Sequence, residues 1–281
     1  MNAIRIRQWP KNSLVFVPLI AGHYVTDITR LHMAAMLFMA FCLVASGTYL
    51  LNDIMDRHDD RHHPGKQHRP IASGQLSIAN AAVASGICIG LGFVMGGLIS
   101  INTLGILGIY TLTTIAYTLA IKKMVLWDVG CLSGLYTLRL IAGHVGLAIP
   151  YSGWLLGCCG FFFCGLALLK RCVDIITSTQ ADSRRGYVKD DITPLTHFGI
   201  VSGYLSVMVL ALYITHESVQ RLYANPSWLW LLCPMLWWWI SRLWWRLHRQ
   251  TLREDPLRFA LKDPPTYGLV LLIGLVVWVA T

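Results

Sequence analysis

Charge is what this sequence has least of: 14 acidic and 23 basic residues stand among 281, of which 55% are hydrophobic, and the mean hydropathy is +0.55. So apolar a composition excludes an ordinary soluble domain and reads as an all-α polytopic membrane protein. The eight cysteines (Cys42, Cys88, Cys131, Cys158, Cys159, Cys164, Cys172 and Cys233) form no CxxC pair and no zinc-like spacing. That excludes a zinc motif and leaves them as packing residues in or beside apolar runs. The basic opening Met1–Lys11 lacks a small-residue cleavage site, so it is expected to be retained. No long repeat or low-complexity stretch interrupts the chain, and its longest polar loops, about 52–76 and 170–194, are too short for separate domains. One integral membrane domain over residues 1–281 is therefore expected.

What is present in quantity is spanning-length apolar sequence. A membrane helix needs about 20 mostly apolar residues, and such runs can be drawn at roughly 13–26, 31–51, 77–97, 101–121, 127–147, 151–169, 195–215, 226–245 and 266–281, about nine in all. Cytoplasmic loops are enriched in Lys and Arg, and here only Arg30 and Arg221 fall on the poorer side, with Arg139 inside the fifth span. The N-terminus is therefore placed in the cytoplasm. Nearly all the acids share that basic face, Asp27 and Glu217 excepted, so the chemistry is expected there. Trp237, Trp238, Trp239, Trp244 and Trp245 read as an interfacial aromatic belt, with Arg242 and Arg246 snorkelling toward headgroups.

Against this scarcity of charge, residues 52–60 read Asn52-Asp53-Ile54-Met55-Asp56-Arg57-His58-Asp59-Asp60 directly after an apolar run. On a helix, Asn52, Asp53, Asp56 and Asp60 share an arc of roughly 100°, with Asp59 apart. Three acids on one face repel each other unless a cation joins them, and Mg²⁺ favours one or two carboxylates with substrate phosphate oxygens. A solvated helix end is the plainer alternative. Lys66 and Arg69 follow, to pair with the acids or to hold an anionic substrate. His58, His62, His63 and His68 resemble no zinc spacing, and the adjacent oxygen donors suit Mg²⁺ better. Arg139, eleven residues beyond Asp128 in the fifth span, lies about 16 Å along the same helix face. An intramembrane arginine is either functional or paired with a neighbouring helix.

These residues carry a resemblance. Asn52-Asp53-x-x-Asp56-x-x-x-Asp60 followed by Arg69-Pro70-Ile71-Ala72-x-Gly74 is similar to the first signature of the UbiA superfamily of intramembrane prenyltransferases. Arg7-Gln8-Trp9-Pro10-Lys11-Asn12, His63-Pro64-x-Lys66-x-x-Arg69, Tyr117 through Lys122 to Asp128, Leu138-Arg139-Leu140, and Lys170-Arg171 with Asp174 resemble its decaprenyl-phosphate phosphoribosyltransferase branch. The loop Arg184-Arg185-Gly186-Tyr187 matches only loosely, and Asp174 stands where the branch usually has Glu. Where prenyl-diphosphate users of the superfamily generally carry a second acidic motif, this chain offers only Asp128 between the fourth and fifth spans, beside Lys122 and Lys123.

The resemblance implies a nine-helix UbiA-like bundle in the cytoplasmic (inner) membrane. It implies transfer of 5-phosphoribose from phosphoribosyl diphosphate to a polyprenyl phosphate, with release of diphosphate. Asp53 and Asp56, with Asp60, would hold Mg²⁺ and Asn52 would orient the cluster. Lys11, Lys66, Arg69, Tyr117, Lys122, Asp128, Arg139, Lys170 and Arg171 would contact substrate. The expected partners are those two substrates and the lipid bilayer, not nucleic acid, with room for a homo-oligomer. Two other readings use the same features: a prenyltransferase acting on an aromatic acceptor, and a non-catalytic transporter with a charged vestibule.

Overall fold

The computed structural model describes residues 3–62, 65, 67–177 and 186–281. Regular structure among them is all helical. After a 3-10 helix Ile6–Phe16 come α1 (Val17–Ala21), α2 (Ile28–Met55), α3 (Arg57–His62), α4 (Ile78–Ile99), α5 (Ile101–Leu119), α6 (Trp127–Gly146) and α7 (Gly153–Thr177). Then follow α8 (Ile192–Thr215), α9 (Glu217–Leu222), α10 (Leu232–His248), α11 (Pro256–Ala260) and α12 (Pro264–Ala280). Among the described residues, four segments are long and apolar enough to cross a membrane: Ile28–Met55, Ile78–Ile99, Gly153–Thr177 and Lys189–Thr215. Helices α5, α6, α10 and α12 coincide with four more of the expected runs.

The first expected run departs from expectation. Residues up to Phe16 form a 3-10 helix and Pro18, in the first turn of α1, has no N–H to give, so no continuous α-ladder forms over residues 13–26. Likewise the run expected at 226–245 begins as a 3-10 helix, Pro226–Leu231, before α10 takes over.

The chain divides into two compact units: residues 1–121 with 138–151, and 122–137 with 152–281. Helix α6 contributes its first half to the second unit and its second half to the first. In the first unit α2 packs chiefly on α4, and small residues make the approach close. A Cβ on Gly47 would lie 2.9 Å from the Ser85 carbonyl oxygen, and one on Gly92 2.8 Å from that of Ala40. The Ser85 hydroxyl donates to the Gly47 carbonyl at 2.8 Å, satisfying both groups across the helix pair. The second unit repeats the device between α7 and α8. There a Cβ on Gly165 would meet the Gly199 carbonyl oxygen at 3.1 Å, and Ser202 donates to the Phe161 carbonyl at 2.8 Å.

The cysteines are free, and each is buried or half-buried. The tryptophan belt splits. Trp237, Trp238 and Trp245 are exposed, but Trp239 and Trp244 are buried. The Trp239 indole donates to the Thr266 hydroxyl at 3.0 Å, and the Trp244 ring fills the space a Cβ on Gly199 would need. Arg242 makes a two-pronged pair with Asp263 at 2.7 and 2.8 Å. Arg246 Nη1 stands 3.6 Å from the same carboxylate.

Candidate functional site

Arg69 gathers the acidic segment of the first unit. Its Nη1 lies 3.0 Å from Asp53 Oδ1 and 2.6 Å from Asp60 Oδ2. Asp53 is in the last turn of α2, whereas Asp60 is in α3 beyond a break at Asp56. The i to i−4 bonds Asp56 N to Asn52 O (2.9 Å) and Asp60 N to Asp56 O (2.8 Å) persist across the break, so the expected shared face survives it. Asn52 and Asp56 are half-buried at that junction, while Asp53 and Asp60 are buried.

The loop after α3 holds Arg69 in place. Ile71 and Ala72 are buried, with Ile71 packed against Leu50 and Ala81. Arg61 Nε donates to the Ala72 carbonyl at 2.9 Å. The backbone of Ser73 returns to the Arg69 carbonyl at 2.8 Å, and Gly74 turns the chain with φ +82. An apolar plug two residues along thus fixes the guanidinium over the acids.

A second cation, Arg5, pairs directly with Asp53 Oδ1 and lies 4.9 Å from the Tyr49 ring centroid. Its backbone has φ 49 and ψ 48, a left-handed conformation costly for a side-chain-bearing residue. Anchors on either side maintain it. Ser46 donates to the Ile4 carbonyl at 2.8 Å and accepts from the Trp9 indole at 3.1 Å. In the sequence Arg5 counts only toward the basic N-terminus, because its pairing needs a fold-back across 48 residues. No local signal reveals that.

Arg139, also in the first unit, is buried and tied to neutral groups: Nε donates to Asn12 Oδ1 at 2.8 Å and Nη2 to the Tyr110 hydroxyl at 2.9 Å. Asn12 in turn donates to Cys42 Sγ at 3.3 Å. The arginine thereby joins the N-terminal segment, α5 and α6. Lys11 and Tyr117 are half-buried in the same unit. Lys66 and the Arg184-Arg185 pair lie outside the described residues.

In the second unit Asp128 and Arg171 are fully interior, 0% and 1% exposed, and pair through Oδ2 and Nε. Arg171 Nη1 also reaches Asp174 at 2.6 Å. The Tyr187 hydroxyl donates to Asp128 Oδ1 at 2.5 Å and accepts from the Leu126 backbone N–H at 2.9 Å. Burial, and then its bond to the carboxylate, push the Tyr187 phenol above its ordinary pKa. Lys170 pairs with Asp255 at 3.2 Å, and Lys122 sits half-buried in the 3-10 turn Ile121–Lys123. The structure thus places two residues expected to touch substrate, Asp128 and Arg171, where each is the other's partner.

Two acids converging on one guanidinium nitrogen mark a point that already attracts positive charge, and the donors there are all oxygen. This suits Mg²⁺ rather than a thiophilic or imidazole-seeking metal. Among the described residues no group of three His, Cys, Asp or Glu side chains is gathered for a metal ion. Mg²⁺ commonly takes one or two carboxylates and completes its shell with water and substrate oxygens.

Comparison with known proteins agrees with the helical architecture. Residues 14–262 match the model of the UbiA prenyltransferase family. The chain is 34% identical to protein y4nM of Sinorhizobium fredii over 98% of its own length and 54% of that protein's. To the nodulation protein NoeC of Azorhizobium caulinodans it is 32% identical over 98% of its length and 90% of that protein's. The decaprenyl-phosphate phosphoribosyltransferase of Mycolicibacterium smegmatis is 33% identical over 62% of this chain and 56% of that enzyme. The chain thus spans about half the length of two of these three relatives. Its fold resembles that of a UbiA homolog from Archaeoglobus fulgidus bound to GPP and Mg²⁺, with a TM-score of 0.74, 14% identity and coverage of 99% and 98% of the two chains.

Proposed function

The chain belongs to the UbiA prenyltransferase family, and from that premise we propose that it transfers 5-phosphoribose from phosphoribosyl diphosphate to a polyprenyl phosphate. The observation that carries this reading is one cluster in which buried Asp53 pairs with Arg5 and Arg69, and buried Asp60 with Arg69, the two arginines being partly exposed. Such a cluster offers ligands for a metal and cations for phosphate together, as a diphosphate leaving group requires. The sealed Asp128–Arg171 pair supports a sugar donor, since this acid is not open to a second metal ion. The resemblance of Arg7 to Asn12 and of His63 to Gly74 to the phosphoribosyltransferase branch points the same way.

Asp53, Asp60 and Asp56, oriented by Asn52, would hold Mg²⁺, with phosphate oxygens completing its shell. When bound, the ion supplies charge neutralisation to the departing diphosphate. Arg69 would exchange its carboxylate partners for a phosphate, and Lys11 and Lys66 would assist. Tyr117 would contact substrate as well. Lys122 and Lys170 would be further phosphate contacts. Asp128, Arg171 and Arg139 act by holding helices and loops in place. The lipid phosphate is already an anion at neutral pH, so its oxygen forms the new bond to the anomeric carbon as the bond to diphosphate breaks. No proton need move, and alignment is the main task. The surrounding frame would be a multi-pass bundle in the cytoplasmic membrane, its nine expected spans including a first one broken at Pro18, with the N-terminus in the cytoplasm.

Radiolabelled phosphoribosyl diphosphate supplied with a range of polyprenyl phosphates should give lipid-extractable label in membranes containing the chain. The rival, transfer of a prenyl group to an aromatic acceptor, would instead consume prenyl diphosphate and leave the sugar label in water. Failure to use either donor would favour a transporter.

A further inference from the structure

We propose that Arg5 makes metal binding at the acidic cluster conditional on diphosphate. This inference rests on the reading of that cluster as a metal and diphosphate site, but not on which group the diphosphate activates. Asp53 carries two guanidinium partners, Arg5 and Arg69, and the second of these is shared with Asp60. Within this ion-paired set, two carboxylates are balanced by two cations. A divalent ion entering alone must displace or face both arginines, and at ion-pair range each opposes it. A diphosphate entering with the ion changes the balance, because its oxygens can accept the arginines that the carboxylates release.

Arg5, like Arg69, is held in place. Its left-handed backbone, the anchoring of Ile4 and Trp9 through Ser46, and its stacking on Tyr49 hold the guanidinium at Asp53. It is also 24% exposed, so an arriving anion can reach it. A fixed positive charge beside a metal ligand weakens binding of the metal alone and strengthens binding of the metal with its anion. The result is an ordered site, in which the ion is captured only when the leaving group comes with it.

The test uses the full chain purified in detergent, Mn²⁺ as a spectroscopic substitute for Mg²⁺, and inorganic diphosphate. Protein-bound Mn²⁺ is measured by equilibrium dialysis against Mn²⁺ with and without diphosphate, with the free and diphosphate-complexed ion counted together in the protein-free chamber, and its environment is read by electron paramagnetic resonance. In the wild type, diphosphate should tighten Mn²⁺ binding by at least about tenfold. Arg5→Gln should tighten binding of Mn²⁺ alone by about fivefold to tenfold and shrink the effect of diphosphate. Arg5→Lys, which keeps the charge, should remain close to wild type, and it carries the comparison if the Gln variant fails to fold, since a merely structural role would weaken both states of the Lys variant alike. Unchanged or weaker Mn²⁺ binding by a folded Arg5→Gln chain overturns the role of Arg5. Absence of Mn²⁺ binding in the wild type even with diphosphate overturns the reading of the cluster, and this inference with it.

Discussion

Asp53 of the first unit and Asp128 of the second are both buried carboxylates paired with arginine, but the arginines differ. Arg5 and Arg69 are 24% and 27% exposed, whereas Arg171 is 1% exposed. An anion from solvent can reach the first pair of cations and exchange partners with them. The second is closed on all sides: Asp128 is occupied by Arg171 and Tyr187, which join α6, α7 and the segment before α8. A charge pair open on its cationic side is suited to chemistry, while a sealed one fixes architecture at the cost of desolvating both ions. Mutations should therefore separate the two clusters by what they damage.

The largest expected effect is on turnover. Asp53→Asn should lower phosphoribosyl transfer by roughly a thousandfold or more, as expected when a metal ligand is lost, while leaving the purified chain monodisperse. Near-normal, metal-independent turnover would remove the metal role. Asp128→Ala should act on stability instead, costing about 3 kcal/mol because buried Arg171 loses its fully interior partner and keeps the more exposed Asp174. Thermal unfolding in detergent reads this loss. Combining Asp128→Leu with Arg171→Met should recover much of it; a double variant no more stable than the single would contradict the sealed-pair account.

The Asp263 pair gives a pH test of the same architectural kind. Bonds from Arg242 hold this carboxyl at about 2, below its ordinary 3.8. A depressed acid contributes its stability above its unfolded pKa and loses it as pH falls through the folded one. The contribution, about 2 kcal/mol, should be complete above pH 5 and disappear between about pH 4 and 2. Asp263→Asn should lower the melting temperature at pH 6 and flatten its decline over that window. The smallest expected effect is that of Tyr187→Phe, about 1 kcal/mol from one lost hydrogen bond. Its stability loss should appear in thermal melts without a comparable fall in turnover per folded molecule.

The sequence makes the frame legible and the pairings much less so. Helices α2, α4, α5, α6 and α7 fall where apolar runs predict them, because length and hydropathy are local properties. Pro18 explains why the first run does not become one long helix. Asn52, Asp53, Asp60 and Arg69 are legible as a group since they lie within 18 residues and one turn chemistry joins them. Arg5 is not, because a left-handed residue and a serine 41 positions away create its contact. The capture of Asp128 by Arg171 is equally hidden, as are the buried positions of Trp239 and Trp244 within an apparent surface belt. Such facts arise from tertiary packing, which a linear pattern of residue types does not encode.

The most direct test of the central claim follows the leaving group. Phosphoribosyl diphosphate labelled in its β-phosphate is incubated with the purified chain, and inorganic diphosphate is separated and counted. Labelled diphosphate should appear only when both polyprenyl phosphate and Mg²⁺ are present, and should vanish in the Asp53→Asn chain. No release with any polyprenyl phosphate, under conditions where the same preparation consumes prenyl diphosphate, would contradict it.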